Sequence, residues 1–157
     1  MKKFTFFAAL SLLLTVTANA QGVSKVFGLV GGNVQTNQSS NGFLFSTDSS
    51  GNNFQLQYNF PVTTFGANPQ NVEMASYNGK LYGTTSTGGV NNFGTIFEYD
   101  PVSNEYTKKF DFGPTVSVTG GSPKGSLLLY NNKFYGLAAD YGVSGGGVIF
   151  EWDPGAN

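Results

Sequence analysis

Two short stretches hold carboxylates at a spacing that can do acid–base chemistry, Glu98-Tyr99-Asp100 and Glu151-Trp152-Asp153. A pair of carboxylates is the working set of glycoside hydrolysis, one acting as acid and the other as base or nucleophile. The composition excludes most other chemistries. The chain has no histidine, no cysteine and no arginine, so imidazole catalysis, thiolate chemistry, disulfides and Cys/His metal sites are all absent. Glu98 and Glu151 also stand at equivalent places in an internal repeat. Repetition favours a structural duty over a single reaction centre, with each carboxylate pairing with a lysine or capping a turn.

Glycine-rich segments invite a phosphate reading, which fails on spacing. "STGGVNNFG" (residues 86–94) lacks the Lys-Ser/Thr that a P-loop places after its last glycine, and "GGSPKGS" (120–126) puts its lysine before the glycine. "DSSGNN" (48–53) has the oxygen donors of a calcium loop but not its D-x-[DN]-x-[DN]-G order, and no Glu follows. All three are read as turns. Asn37-Gln38-Ser39 fits a glycosylation sequon and is read as loop. No catalytic, cofactor-binding or metal-ligating residue is assigned.

The N-terminus reads as an address. Lys2 and Lys3 precede an apolar run from Phe4 to Val16, and Ala18-Asn19-Ala20 supplies a cleavage signal. Residues 1–20 are therefore expected to be a signal peptide, with residues 21–157 exported to the outside or outer surface of a bacterium. The run is too short for a transmembrane anchor, and no later stretch is longer. Without Lys2 and Lys3, six lysines face nine acids, a net charge of −3. Such a balance makes no basic patch for nucleic acid. Fifteen phenylalanines and eight tyrosines are more than a disordered chain carries, and they recur regularly.

The elements that must position these residues come from the repeat. Tyr82-Gly83 returns as Tyr135-Gly136 after 53 residues, and Phe27-Gly28 precedes it by 55. "GTIFEYDP" (94–101) returns as "GVIFEWDP" (147–154), with "GFLFSTD" (42–48) before both. "YNGKLYG" returns as "YNNKFYG", Phe60 matches Phe112, and Pro69 matches Pro123. A period near 50 residues points to propeller blades or similar arrays. Alternation in "NFQLQYNF" puts Phe54, Leu56, Tyr58 and Phe60 on one strand face, and Tyr106, Lys108, Phe110 and Phe112 match it. Asn78-Gly79 and Asn131-Asn132 are hairpin turns, and Asp48 and Asp100 open turns of another kind. The second unit's strands are expected at Lys80–Thr85, Gly94–Tyr99, Tyr106–Phe112 and Ser126–Tyr130.

"LYGTTSTGGVNNFGTIFEYDP" (81–101) resembles the secreted bacterial repeats with the pattern LYGTT-x-x-GG, GT-hydrophobic-F and a D-P turn. These are the Gloeobacter/Verrucomicrobia-type repeats, similar in look to kelch repeats. The resemblance implies an extracellular propeller-like array and carries no catalytic residue across.

The expected fold is all-β: four-stranded antiparallel meanders repeated as in a β-propeller, in units of about 21–79, 80–132 and a shortened 133–157. Such a set of blades is incomplete, and Gly147–Trp152 would need further blades or other chains on its open edge. The longer connections gather at one end of the meanders, where binding residues concentrate on rigid scaffolds. Phe65, Asn91, Asn92, Phe93, Asp140 and Tyr141 are the candidates there. Aromatics mixed with Asn and Asp suit a carbohydrate or protein ligand. The function expected is a surface binding module without enzyme activity. The alternatives are a structural or adhesive array and, less favoured, a propeller-type carbohydrate-active enzyme.

Overall fold

The computed structural model describes residues 14–16, 25–32, 41–61, 64–69, 73–113 and 119–156. Within them lie three antiparallel sheets and no helix. Sheet 1 has the order β1 (Leu14–Val16), β2 (Lys25–Gly31), β3 (Gly42–Asp48) and β4 (Gln55–Asn59). Sheet 2 repeats it with β5 (Ala75–Tyr77), β6 (Lys80–Thr85), β7 (Thr95–Asp100) and β8 (Glu105–Asp111). Sheet 3 contains β9 (Gly121–Pro123), β10 (Leu128–Tyr130), β11 (Lys133–Asp140) and β12 (Val148–Trp152). Both β9 and β10 lie along β11, whose other edge takes β12. β1 falls inside the stretch read as a signal peptide; the rest of that stretch and the Asn37 sequon lie outside the described residues.

Local chemistry explains the hairpins. Asn78 and Gly79 adopt φ 50° and 76°, and Asn131 and Asn132 adopt 49° and 61°, as a two-residue turn matched to strand twist requires. The second turn ties Leu128–Tyr130 to β11, so that strand opens sheet 3 instead of completing sheet 2. Asp48 Oδ1 accepts from the Ser50 and Asn52 amides, and Asp100 Oδ1 accepts from Val102. These bonds hold both carboxyls below the usual range for aspartate. The "DSSGNN" oxygens are thus spent on a turn.

The repeated glycine has one cause in all three sheets. Gly28, Gly83 and Gly136 pair across the ladder with Phe45, Phe97 and Phe150. Each ring lies over its glycine, so that a Cβ would stand 2.5, 2.6 and 2.3 Å from its Cζ. Only a residue without a side chain permits that contact.

The sheets pack through two apolar cores. Between sheets 1 and 2 lie Phe27, Leu44, Phe60, Leu81, Phe97 and Tyr99. Between sheets 2 and 3 lie Tyr82, Ile96, Phe112, Leu127, Phe134 and Phe150. Tyr58 of sheet 1 stacks flat on Tyr106 of sheet 2, centroids 3.9 Å apart. The expected single face of "NFQLQYNF" does not hold. The β3–β4 register slips after Leu44, which pairs with Tyr58 while Phe45 pairs with Leu56, and Gln57 is the extra residue. This bulge sends Tyr58 and Phe60 into the core and turns Phe54 and Leu56 to the opposite face, where Phe54 stacks on Phe45 at 5.3 Å. β8 has the same bulge at Lys109, so Phe110 faces sheet 3 while Tyr106 faces sheet 1. Gln57 is used by the bulge: Tyr99 Oη donates to its Oε1 at 2.6 Å, and its Nε2 donates to Ser46 Oγ at 2.9 Å.

Candidate functional site

The described parts of the connections after β2, β6 and β11, and of those leaving β4 and β8, meet at one end of the three sheets. They meet through backbone bonds. Ala67 and Thr87 form a bridge, Asn68 N donates to Asn41 O, and Ser122 N donates to Phe93 O at 2.7 Å. Each segment leaving a fourth strand therefore docks on the start of that sheet's third strand and on the end of the next sheet's second. Gly94 marks the tightest point. Its φ is 93°, and a Cβ there would meet Thr85 O and Pro123 Cδ. Gly42 is its counterpart, with φ 101° and Pro69 as neighbour, which explains why Pro69 and Pro123 recur.

At this end a recess of about 400 Å³ opens between sheets 1 and 2. Asn41, Thr64, Thr87 and Asn92 line it with amides and hydroxyls, and Gly88 and Gly89 bring their backbone to its wall. Both glycines hold positive φ, 77° and 82°, so the loop can run close against Gly66 and Asp111. Asp111 Oδ1 accepts from Val90 N at 2.9 Å, and Lys108 holds its other oxygen at 2.7 Å. The loop is thereby pinned to β8.

The six candidates divide into groups. Asn92 lines the recess, with φ 59° and its Oδ1 accepting from Gly88 N at 2.9 Å. Asn91 is exposed beside it, its amide against Gly113. Phe65 is half exposed, and its carbonyl accepts from Tyr106 Oη at 2.6 Å. Phe93 and Tyr141 meet edge to face at 4.7 Å over Gly121, one unit further along, so they pack on each other. Asp140 is exposed at the end of β11, opposite Gly121. Sequence reading missed Asn41, Thr64 and Thr87, because nothing local in them signals that three separate connections converge.

The carboxylates read as repeat features have their lysines. Lys80 Nζ lies 2.8 Å from Glu98 Oε1, and Tyr82 Oη donates to Glu98 Oε2 at 2.5 Å. Lys133 and Tyr135 repeat this on Glu151. Burial pushes the Glu98 carboxyl up, but the bonds from Lys80 and Tyr82 outweigh it and hold the group below the usual glutamate range. Asp100 is engaged in its turn, so neither stretch presents a free carboxylate pair.

A Tyr-Gly second strand, a Gly-hydrophobic-Phe third strand with its Phe on that glycine, and an Asp-opened turn recur as one structural unit. The model of the Gloeobacter/Verrucomicrobia repeat family matches residues 19–157. The chain belongs to this family. In this member of the Gloeobacter/Verrucomicrobia repeat family, "LYGTT" and "GTIF" correspond to β6 and β7 and the core faces they share. Comparison with curated proteins and with solved structures found no match.

Proposed function

We propose that this repeat domain is exported, stacks its sheets as blades of a propeller-like array, and serves as a binding module through its loop end. The ligand that suits it best is a neutral, hydroxyl-rich one, a carbohydrate chain. The observation that carries this reading is the recess between sheets 1 and 2, whose lining offers the amides and hydroxyls of Asn41, Thr64, Thr87 and Asn92. Side chains of that kind exchange hydrogen bonds with sugar hydroxyls, and half-exposed Phe65 is close in sequence to offer an apolar face. The carboxylates of the Glu98–Asp100 and Glu151–Asp153 stretches are engaged in ion pairs and turns, which supports binding over hydrolysis.

A glycan array probed with the exported protein tests this. Retention of a defined set of glycans is expected, and Thr64→Trp, which fills the recess from an exposed position, should abolish it. No retained glycan, or retention unchanged by Thr64→Trp, refutes the site and shifts the weight to a structural or adhesive array. Export is tested separately: mass spectrometry of protein recovered outside the cytoplasm should find an N-terminus at or next to Gln21. Cleavage there removes β1 and leaves β2 paired with β3 alone.

A further inference from the structure

The repeat builds its loop-end junction twice, once open between sheets 1 and 2 and once filled with aromatic rings between sheets 2 and 3. Hydrogen bonds fix which residues correspond. Asn68 N donates to Asn41 O at the first junction, and Ser122 N donates to Phe93 O at the second, so Phe93 is the counterpart of Asn41. Gly94 N donates to Gly88 O, and Gly147 N donates to Tyr141 O, so Tyr141 is the counterpart of Gly88. Thr87 pairs with Ala67 as Asp140 pairs with Gly121. The backbone agrees, with φ 77° at Gly88 and 70° at Tyr141.

The side chains at these places decide what each junction holds. Phe93 and Tyr141 meet edge to face at 4.7 Å over buried Gly121, whose Cβ would stand 3.0 Å from Tyr141 and 3.2 Å from Phe93. A left-handed φ strains a bulky residue, so Tyr141 is held in it by the packing of its ring. The first junction has a short amide at Asn41 and no side chain at Gly88, and there the recess of about 400 Å³ opens. A Cβ at Gly88 would stand 2.7 Å from Gly66 Cα, so that position admits no ring of its own.

The recess thus has the place of a ring pair but a polar lining. Asn92 Oδ1 is taken by Gly88 N, so Asn92 meets a ligand as a donor. Thr87 Oγ1 donates to Ala67 O, which leaves its lone pairs to accept. An aromatic side chain seated here would cover these groups without pairing them. A pyranose offers a ring of similar breadth whose hydroxyls both donate and accept. Resting on the carbohydrate reading above, we propose that one pyranose ring of the glycan occupies this recess in the place that Phe93 and Tyr141 fill at the next junction. Asn41 and Gly88 are the residues that make the first junction a site, and Phe93 and Tyr141 are the plug that closes the second.

The test adds the methyl glycosides of glucose, galactose, mannose and N-acetylglucosamine to the isotopically labelled exported protein and follows its backbone amides by NMR. At least one glycoside should shift the Gly88 and Gly89 amides saturably and displace the glycans retained on the array. Asn41→Phe, which brings in the aromatic of the other junction, should weaken that glycoside at least about tenfold while the thermal midpoint holds. Phe93→Asn combined with Tyr141→Gly should unplug the second junction and add saturable shifts at Gly121 and Gly142. Glycans retained on the array that no single ring displaces overturn the pyranose site but leave the carbohydrate reading standing. An array that retains nothing defeats both. Equal affinity in folded Asn41→Phe overturns the proposal, as does a folded unplugged variant with no shift at Gly142; should one variant fail to fold, the other decides.

Discussion

Tyr82 donates its hydroxyl to Glu98 across the β6–β7 ladder at 2.5 Å, and Tyr135 does the same to Glu151 at 2.6 Å. The chemistry is identical, but the surroundings differ. Tyr82 and Glu98 are buried, Tyr82 against Phe134 and Trp152 of sheet 3, and Glu151 is exposed. A buried ion held by two partners leaves those partners stranded when it is removed, whereas water replaces an exposed one. Glu98→Ala should therefore destabilise the fold by about 2 kcal/mol or more. Glu151→Ala should leave the urea midpoint nearly unchanged. Chemical denaturation of the two variants side by side checks the contrast, and equal losses would contradict it.

The same pair sets a pH dependence. Glu98 is held below its ordinary value of 4.5 in the folded chain, so it binds protons less readily there than when unfolded. Its stabilisation is complete above about pH 4.5 and is lost as pH falls through the lower folded value. Tyr82 is shifted the other way, pushed up from 10.0 chiefly by burial and then by its bond to Glu98. Its share is complete below about pH 10 and is lost as pH rises beyond it. Thermal midpoints recorded across the acid range should fall less steeply for Glu98→Gln than for the parent.

Gly83→Ala tests the ring-over-glycine contact. The new methyl would stand 2.6 Å from Phe97 Cζ, and Phe97 is fully buried between Leu81, Phe60 and Tyr106. The ring cannot retreat without disturbing the sheet 1 interface. A loss of roughly 1–3 kcal/mol is expected. Phe97→Leu should cost stability alone, yet in combination with Gly83→Ala the two losses should sum to less than their separate values. Strict additivity in that cycle would mean the ring and the glycine do not interact.

What could be read from sequence follows from where the determining forces are local. Asn78-Gly79 and Asn131-Asn132 specify their turns through their own backbone, and the strands expected at Lys80–Thr85 and Ser126–Tyr130 beside them lie within two residues of β6 and β10. Repetition exposed the kinship of Glu98 and Glu151, and the lysines two residues ahead of each Tyr-Gly complete it. The bulges at Gln57 and Lys109 were not legible, because an inserted residue leaves the alternating pattern of "NFQLQYNF" looking regular. Nor was the recess: Asn41, Thr64 and Thr87 stand far apart in the chain and meet only because Gly94, Pro123 and their counterparts fix how one sheet follows another. That geometry is a property of packing between units, which no single repeat contains.

Thr84 gives the last expectation. It sits on β6 opposite Ile96, faces the core shared with sheet 3, and its buried hydroxyl has no hydrogen-bond partner among the described residues. Its neighbour Thr85 differs, because its hydroxyl meets Thr95 Oγ1 at 2.8 Å and Thr87 O at 3.0 Å. An unpaired buried hydroxyl keeps the cost of leaving water and gains nothing in return, while a methyl of the same shape would fill the space with apolar contact. Valine also suits a strand as well as threonine does. Thr84→Val should thus stabilise the chain by about 1 kcal/mol, and Thr85→Val should destabilise it by a similar amount. Urea midpoints for both variants decide the matter. A loss of stability in Thr84→Val would mean that a water or a rotated neighbour satisfies the hydroxyl in solution.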